Sequence, residues 1–166
     1  MSLARCLRHL TMTPWALRRA FPPATLAAIQ DAVRACESQH PGEIRFAVEG
    51  AWPLSRLWRA QTPRARAIEV FSELHVWDTE HNNGVLIYVL LADRSVEIVA
   101  DRGVGDARVP SDEWPACCRQ AERQFAHGRY ADGAIAAVTA VASVLARYPP
   151  ARPDVGNELP DEPVLL

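Results

Sequence analysis

The sequence predicts an α/β (α+β) domain, in which a small mixed β-sheet with a central antiparallel hairpin is flanked by helices on both faces. The run GVLIYVLL, residues 84–91, is continuously apolar and rich in β-branched side chains, as in a central strand that is covered on both faces. Residues 92–94 connect it to a second strand, SVEIVAD. This connection is too short for a crossover and therefore predicts antiparallel pairing.

The remaining elements follow from hydrophobic spacing and from helix-start signals. EIRFAVE alternates apolar and polar residues and predicts a strand with one buried face. AWPLSRLWRAQ is ambiguous and is compatible with a short helix. Helices are predicted after Pro22, after the Thr62-Pro63 cap, after Ser111 and from about Asp132 to Tyr148. The predicted order is therefore α-β-α-β-β-α-α.

Composition restricts the class of protein. A chain of 166 residues with 49% hydrophobic and 23% charged residues suits one globular domain. The net charge of −2 gives no general attraction to nucleic acid. No stretch reaches the ~18 apolar residues of a membrane helix, so no transmembrane segment is expected. The four cysteines lack Cys-x-x-Cys spacing, which favours reduced thiols and a cytoplasmic location.

The two ends of the chain differ in charge from the predicted domain, residues 23–148. Residues 1–22 form a basic N-terminal segment in which Leu3, Cys6, Leu7 and Leu10 share one helical face. Such a segment is either a membrane-surface helix or one that packs on its own domain. Residues 149–166 are acidic and rich in proline, and we expect this tail to be disordered.

The hairpin brings two polar flanks together. If Asp93-Arg94 is a two-residue loop, Ile87 pairs with Ala100, and Gly84 pairs with Gly103. The residues before the first strand then lie beside those that follow the second. A slip of one residue would exchange the faces but would keep the two flanks together.

This polar end of the hairpin is the candidate site. Carboxylates and carboxamides are the ligands that Ca²⁺ and Mg²⁺ prefer, so we expect one of these cations to bind there. The candidate metal ligands are Asp78, Glu80 and Asp101, and the candidate ligand-binding residues are Asn82, Asn83 and Arg102. The simpler alternative is that Asn-Asn-Gly is turn chemistry and that Asp101-Arg102 is a solvated strand end.

Two better-known motifs are excluded. DTEHNNG starts like an EF-hand loop, but position six is Asn83, position twelve is Val89, and a strand follows. Cys117 and Arg123 have the Cys-x5-Arg spacing of a cysteine phosphatase, but the residues between them belong to a predicted helix and include no glycine.

The chain resembles the TPM domain family over residues 23–148. The matching segments are GEIRFAVE, RARAIEVFSEL and NNGVLIYVLLADRSVEIVADRGV. FAHGRYADG fits the family's Phe-x-x-Gly-x-Tyr-x-x-Gly junction through Phe125, Gly128, Tyr130 and Gly133. The family includes a thylakoid-lumen protein of photosystem II repair and many bacterial proteins. By this resemblance Asn82, Asn83 and Gly84 match the strand-entry motif, Asp93-Arg94 the turn, and Gly103 the glycine after the last strand.

The resemblance implies acid phosphatase activity or divalent cations for some members, and membrane anchoring for many bacterial ones. This sequence shows neither a signal peptide nor an anchor nor a Gly-rich tail. We therefore expect a cytoplasmic form, peripheral to the inner membrane, that acts beside a membrane protein similar to LemA.

Two functions stay open at this point. One is a cation-binding interaction module, and the alternative is a metal-dependent hydrolase of phosphate monoesters, in which the metal would polarise the phosphoryl oxygen. The module is preferred because the sequence offers no identifiable nucleophile or general base.

Overall fold

The computed structural model describes residues 2–59, 61–105, 107–149 and 156–166. These residues form a mixed α/β structure, which confirms the predicted fold class. The helices and strands are α1 (Leu3–Thr11), α2 (Pro14–Ala20), α3 (Pro23–Glu37), β1 (Glu43–Glu49), α4 (Leu54–Trp58), α5 (Pro63–Glu73), β2 (Gly84–Leu90), β3 (Ser95–Ala100), α6 (Glu113–Ala126), α7 (Tyr130–Arg147) and β4 (Val164–Leu165).

The four strands form one mixed sheet in the order β3-β2-β1-β4. β1 pairs parallel with β2 and with β4, whereas β2 and β3 are antiparallel. All seven residues of β2 are buried, as the continuous apolar run predicts. One face of the sheet packs against α3, α6 and α7, and the other face packs against α4 and α5. Helices therefore cover both faces.

The register of the hairpin differs from the prediction by two residues. Ile87 pairs with Ile98, and Val85 pairs with Ala100. The predicted two-residue loop is wrong because Leu91–Asp93 forms a 3-10 turn and Arg94 closes it in the left-handed conformation, with φ 53°. A shift of two residues keeps every side chain on its predicted face, since side chains alternate with a period of two.

The C-terminal segment is ordered where the structure describes it. Residues 156–166 lie along the free edge of β1, and Val164 and Leu165 pair with Ala47 and Val48. The expectation of a disordered tail is therefore wrong for this part, and residues 150–155 lie outside the described residues. Proline prevents a helix here, but it is tolerated next to an edge strand. The division of the chain at residues 22 and 149 stays a prediction.

Most of the helices begin close to the residues at which the sequence predicts a helix start. The Thr62 hydroxyl accepts a hydrogen bond from the Ala65 N–H over 3.1 Å, as the predicted cap requires. In α5 the buried side chains include Ala67 and Val70, whereas Ile68 is 49% exposed. Within the described residues one helix, α7, is long and apolar enough to cross a membrane, and it contributes eight buried residues to the domain core.

Candidate functional site

The two polar flanks of the hairpin meet at one end of the sheet, which we call the rim (residues 78–83 and 101–105). The Asp101 N–H donates to the Gly84 carbonyl over 2.9 Å, and the Gly103 N–H donates to the Asn82 carbonyl over 2.8 Å. The predicted convergence of the flanks is therefore present although the register is not the predicted one. The flanks still meet because the change of register moves the two strands past each other by only two residues.

Glycine allows the loop that precedes β2 to lie directly on the strands. A Cβ atom at Gly84 would overlap the Val76 carbonyl oxygen, and one at Gly103 would overlap the His81 carbonyl oxygen. Asn82 takes the left-handed conformation, with φ 52°, which asparagine tolerates better than most residues. Main-chain carbonyl groups are thus crowded at the rim, next to the polar side chains of the rim residues.

Three buried polar atoms at the rim have no hydrogen-bond partner among the described residues. They are Asp101 Oδ2, Asn83 Oδ1 and His81 Nδ1. The other atoms of the first two side chains are engaged, because Asp101 Oδ1 accepts from the Arg102 N–H over 2.7 Å and Asn83 Nδ2 donates to the Pro41 carbonyl. A buried polar atom without a partner costs about 1–3 kcal/mol, so each of these atoms can engage a water molecule or a ligand.

The predicted site residues differ in their exposure to solvent. Asp78, Glu80 and Arg102 are exposed, Asn82 and Asp101 are partly buried, and Asn83 is 2% exposed. The Glu80 N–H donates to Glu158 Oε2 over 2.8 Å. No group of three or more His, Cys, Asp or Glu side chains within residues 2–59, 61–105, 107–149 and 156–166 is arranged to hold a metal ion. A cation at the rim would therefore need carboxamide or carbonyl oxygens as well as carboxylates.

An acidic cluster that sequence reasoning missed lies beside the rim, under the C-terminal segment. Glu43 is 3% exposed, and its Oε2 accepts from the N–H groups of Glu158 and Leu159 over 3.2 and 3.0 Å. Burial, together with the nearby Glu43 and Asp161 carboxylates, raises the pKa of Glu37 to about 8. No local pattern could reveal this cluster, because more than a hundred residues separate Glu43 from the tail.

A second buried polar cluster lies on the α4 and α5 face of the sheet, around the carboxylate of Glu49. Glu49 Oε2 accepts from Arg66 Nε over 3.0 Å, from Trp52 Nε1 over 3.1 Å and from the Tyr88 hydroxyl. Burial and the hydrogen bond to this carboxylate raise the pKa of Tyr88. The available sequence signal was Arg66 itself, which stands next to the inward-facing Ala67 of α5.

The two adjacent thiols of α6 are not activated. Burial and the neighbouring Glu113 raise the pKa of Cys117 to about 11, and burial with Glu97 and Glu122 raises the pKa of Cys118 to about 12. The thiolate is the nucleophilic form of cysteine. The structure thus agrees with the exclusion of a cysteine phosphatase loop, since both residues also lie inside a helix.

A four-stranded mixed sheet with helices on both faces and a polar rim at the open end of its hairpin defines the class of this protein as a small α/β domain. The family model of the TPM domain matches residues 18–144. The chain therefore belongs to the TPM domain family. In the family's junction motif, Phe125 and Tyr130 have ring centroids 6.0 Å apart, and a Cβ atom at Gly133 would overlap the Phe125 ring.

Solved structures agree with this assignment. The chain is similar to the BA42 protein of the psychrophilic bacterium Bizionia argentinensis, whose NMR structure aligns with a TM-score of 0.73 at 31% identity over 86% of this chain and 93% of that one. The N-terminal domain of a protein from P. gingivalis, also solved by NMR, aligns with a TM-score of 0.59 at 21% identity over 74% of each chain, which shows the shared fold. No curated protein matches the chain.

Proposed function

We propose that this TPM domain is an interaction module whose rim binds a divalent cation, Ca²⁺ or Mg²⁺. The observation that carries the proposal is that two buried oxygen atoms of rim residues, Asp101 Oδ2 and Asn83 Oδ1, accept no hydrogen bond from the described residues. Both are oxygens of the kind that hard cations prefer. An unoccupied acceptor of this kind is costly unless a donor, water or ion engages it.

The roles of the rim residues follow from their burial. Asp101 supplies the negative charge that is partly shielded from solvent, and Asn83 supplies a neutral oxygen. The exposed carboxylates of Asp78 and Glu80 are free to complete the ligand set by side-chain rotation, whereas Asn82 and the exposed Arg102 face a bound partner. A cation would fix the loop of residues 78–83 against β3 and would so present a defined surface.

The partner that we propose is a membrane-associated protein, of the LemA-like kind that the family resemblance suggests. The proposed location is the cytoplasm, at the periphery of the inner membrane. Exposed charges of both signs at the rim, from Asp78, Glu80 and Arg102, suit a polar docking surface whose affinity depends on ionic strength.

Hydrolysis of phosphate monoesters is the alternative function for the same rim. The cation would polarise a phosphoryl oxygen there, and Arg102 would contact the ester. We prefer the module because the sequence offers no identifiable nucleophile or general base for this reaction, and because the thiols of Cys117 and Cys118 belong to α6 and not to the rim.

Calorimetric titration with Ca²⁺ and with Mg²⁺ tests this proposal. The wild type should bind one of the two ions, Asp101→Asn should lose at least about tenfold in affinity, and Asp31→Asn, on the exposed side of α3, should bind as the wild type does. Equal heats in the wild type and Asp101→Asn would remove the site. Metal-dependent turnover of a generic phosphomonoester that Asp101→Asn abolishes would replace the module by the hydrolase.

A further inference from the structure

The N-terminal helix α1 packs with its polar face inward and its apolar face outward. Arg5, Arg8 and His9 point toward the domain, where His9 is 4% exposed. Leu3, Leu7 and Leu10 lie on the opposite face and are 87%, 60% and 62% exposed. This is the reverse of the usual arrangement for a helix on a globular domain, in which the apolar stripe faces the core.

A charged clamp fixes this orientation. Arg5 Nη2 lies 2.7 Å from Asp93 Oδ2, and Arg8 Nη2 lies 3.0 Å from Asp93 Oδ1. The Trp52 N–H donates to His9 Nδ1 over 2.9 Å, and the Arg5 guanidinium lies 5.4 Å from the centre of the Trp52 ring. Rotation of α1 about its axis to bury the leucines would break all of these contacts, so the apolar face is held toward the outside.

The following helix α2 also exposes an aromatic side chain beside arginine residues. Leu17 and the next residue after the helix, Phe21, are buried in the core and anchor it, whereas Trp15 is 68% exposed. The Arg19 guanidinium lies 5.3 Å from the centre of the Trp15 ring, and Arg18 beside it is exposed. Residues 1–30 contain no Asp or Glu, so α1 and α2 themselves contribute positive charge and no negative charge.

We infer that α1 and α2 form a docking surface for an anionic lipid bilayer, with Leu3, Leu7, Leu10 and Trp15 entering the interface and Arg18 and Arg19 meeting the headgroups. Apolar insertion and basic residues together give the two signals that stable binding to a membrane surface needs. Tryptophan is favoured at this depth because its ring is apolar and its N–H is polar. Charge complementarity selects a lipid surface, since a bilayer with acidic headgroups matches two helices that carry arginine and no acidic residue. This inference does not depend on the cation at the rim.

Vesicle flotation in the presence of a chelator tests the inference independently of the cation site. The wild type should float with vesicles of phosphatidylcholine and phosphatidylglycerol and remain unbound with phosphatidylcholine alone, and added salt should release it. Leu7→Asn should weaken binding roughly tenfold, because it removes one partly buried leucine from the bilayer. Trp15→Ala should weaken it as well.

Two matched variants serve as controls. Ile68→Asn on α5 and Trp77→Ala, just before the rim, change side chains that are each 49% exposed elsewhere on the molecule, and both should float as the wild type does. Failure of the wild type to float with the anionic vesicles would overturn the inference, as would equal losses in the controls. If the wild type does not float but self-associates in light scattering, and Leu7→Asn abolishes this, the face is a contact between copies and the lipid surface is excluded.

Discussion

Replacing Glu37 by glutamine should stabilise the protein, and the gain should increase with pH. Glu37 Oε1 accepts from the Ile44 N–H over 2.8 Å, and glutamine keeps an oxygen for this bond. Glu37 also lies beside the Asp161 carboxylate. The amide N–H of a glutamine can donate to this carboxylate, as the protonated carboxyl group of Glu37 does. The substitution therefore removes the burial of a negative charge without removing a contact.

The magnitude follows from the pKa of Glu37, which rises from 4.5 to about 8 on folding. Because the folded pKa is higher than the unfolded one, protonation stabilises the fold. This contribution is fully present below pH 4.5 and is lost as pH rises through about 8. At about 1.4 kcal/mol per tenfold change in proton affinity the upper bound is about 5 kcal/mol, and partial exposure of Glu37 reduces the expected gain to about 2 kcal/mol.

Urea unfolding at about pH 5 and about pH 9 measures this difference. Glu37→Gln should be close to the wild type at the lower pH and exceed it at the higher pH by about 2 kcal/mol. Asp31→Asn, on the exposed side of the same helix, controls for the loss of one negative charge and should show no such dependence. The same small gain at both pH values would refute the reasoning, since it would place the Glu37 carboxylate in solvent.

Two further substitutions test the buried charges elsewhere. Arg66→Met should cost about 3 kcal/mol in urea unfolding, because it leaves the Glu49 carboxylate buried without its cation. Glu69→Gln changes an exposed partner of Arg66 and should cost about 0.5 kcal/mol. Equal costs would mean that the cluster is solvated. Asp93→Asn should lower stability by about 1–2 kcal/mol near neutral pH and speed amide exchange in α1. Burial raises the pKa of Asp93, but hydrogen bonds and charge from Arg5 and Arg8 outweigh it and hold this pKa below its usual value. The loss of stability in Asp93→Asn should therefore vanish as pH falls through the folded pKa of Asp93. Unchanged protection of α1 from exchange would contradict the clamp.

The fold was predictable where one segment decides its own structure. The run at 84–91 could only be a covered strand, and Thr62-Pro63 could only begin a helix, because each signal is local. The register was not predictable, since Arg94 adopts the left-handed conformation without being glycine or asparagine. The ordering of Val164 and Leu165 was missed for a related reason: an edge strand depends on the free edge of β1 and not on its own sequence.

The candidate site was predictable as a place but not in its detail. The hairpin brings Asn82 and Gly103 together in any register, so the convergence of the flanks needed only the order of the elements. The burial of Asn83 and the exposure of Asp78 depend on how the preceding loop lies on the strands, which two glycines permit. The Glu37 and Glu43 cluster depends on the tail, which the sequence suggested was unstructured.

The most direct test of the cation-binding rim is a Ca²⁺ and Mg²⁺ titration of the ¹⁵N-labelled protein followed by NMR. Amide shifts that depend on the ion should be confined to residues 78–83 and 101–105, should saturate, and should disappear in Asp101→Asn while Asp31→Asn retains them. Shifts that are absent, spread over the exposed acidic residues, or unchanged in Asp101→Asn would contradict a cation site at the rim.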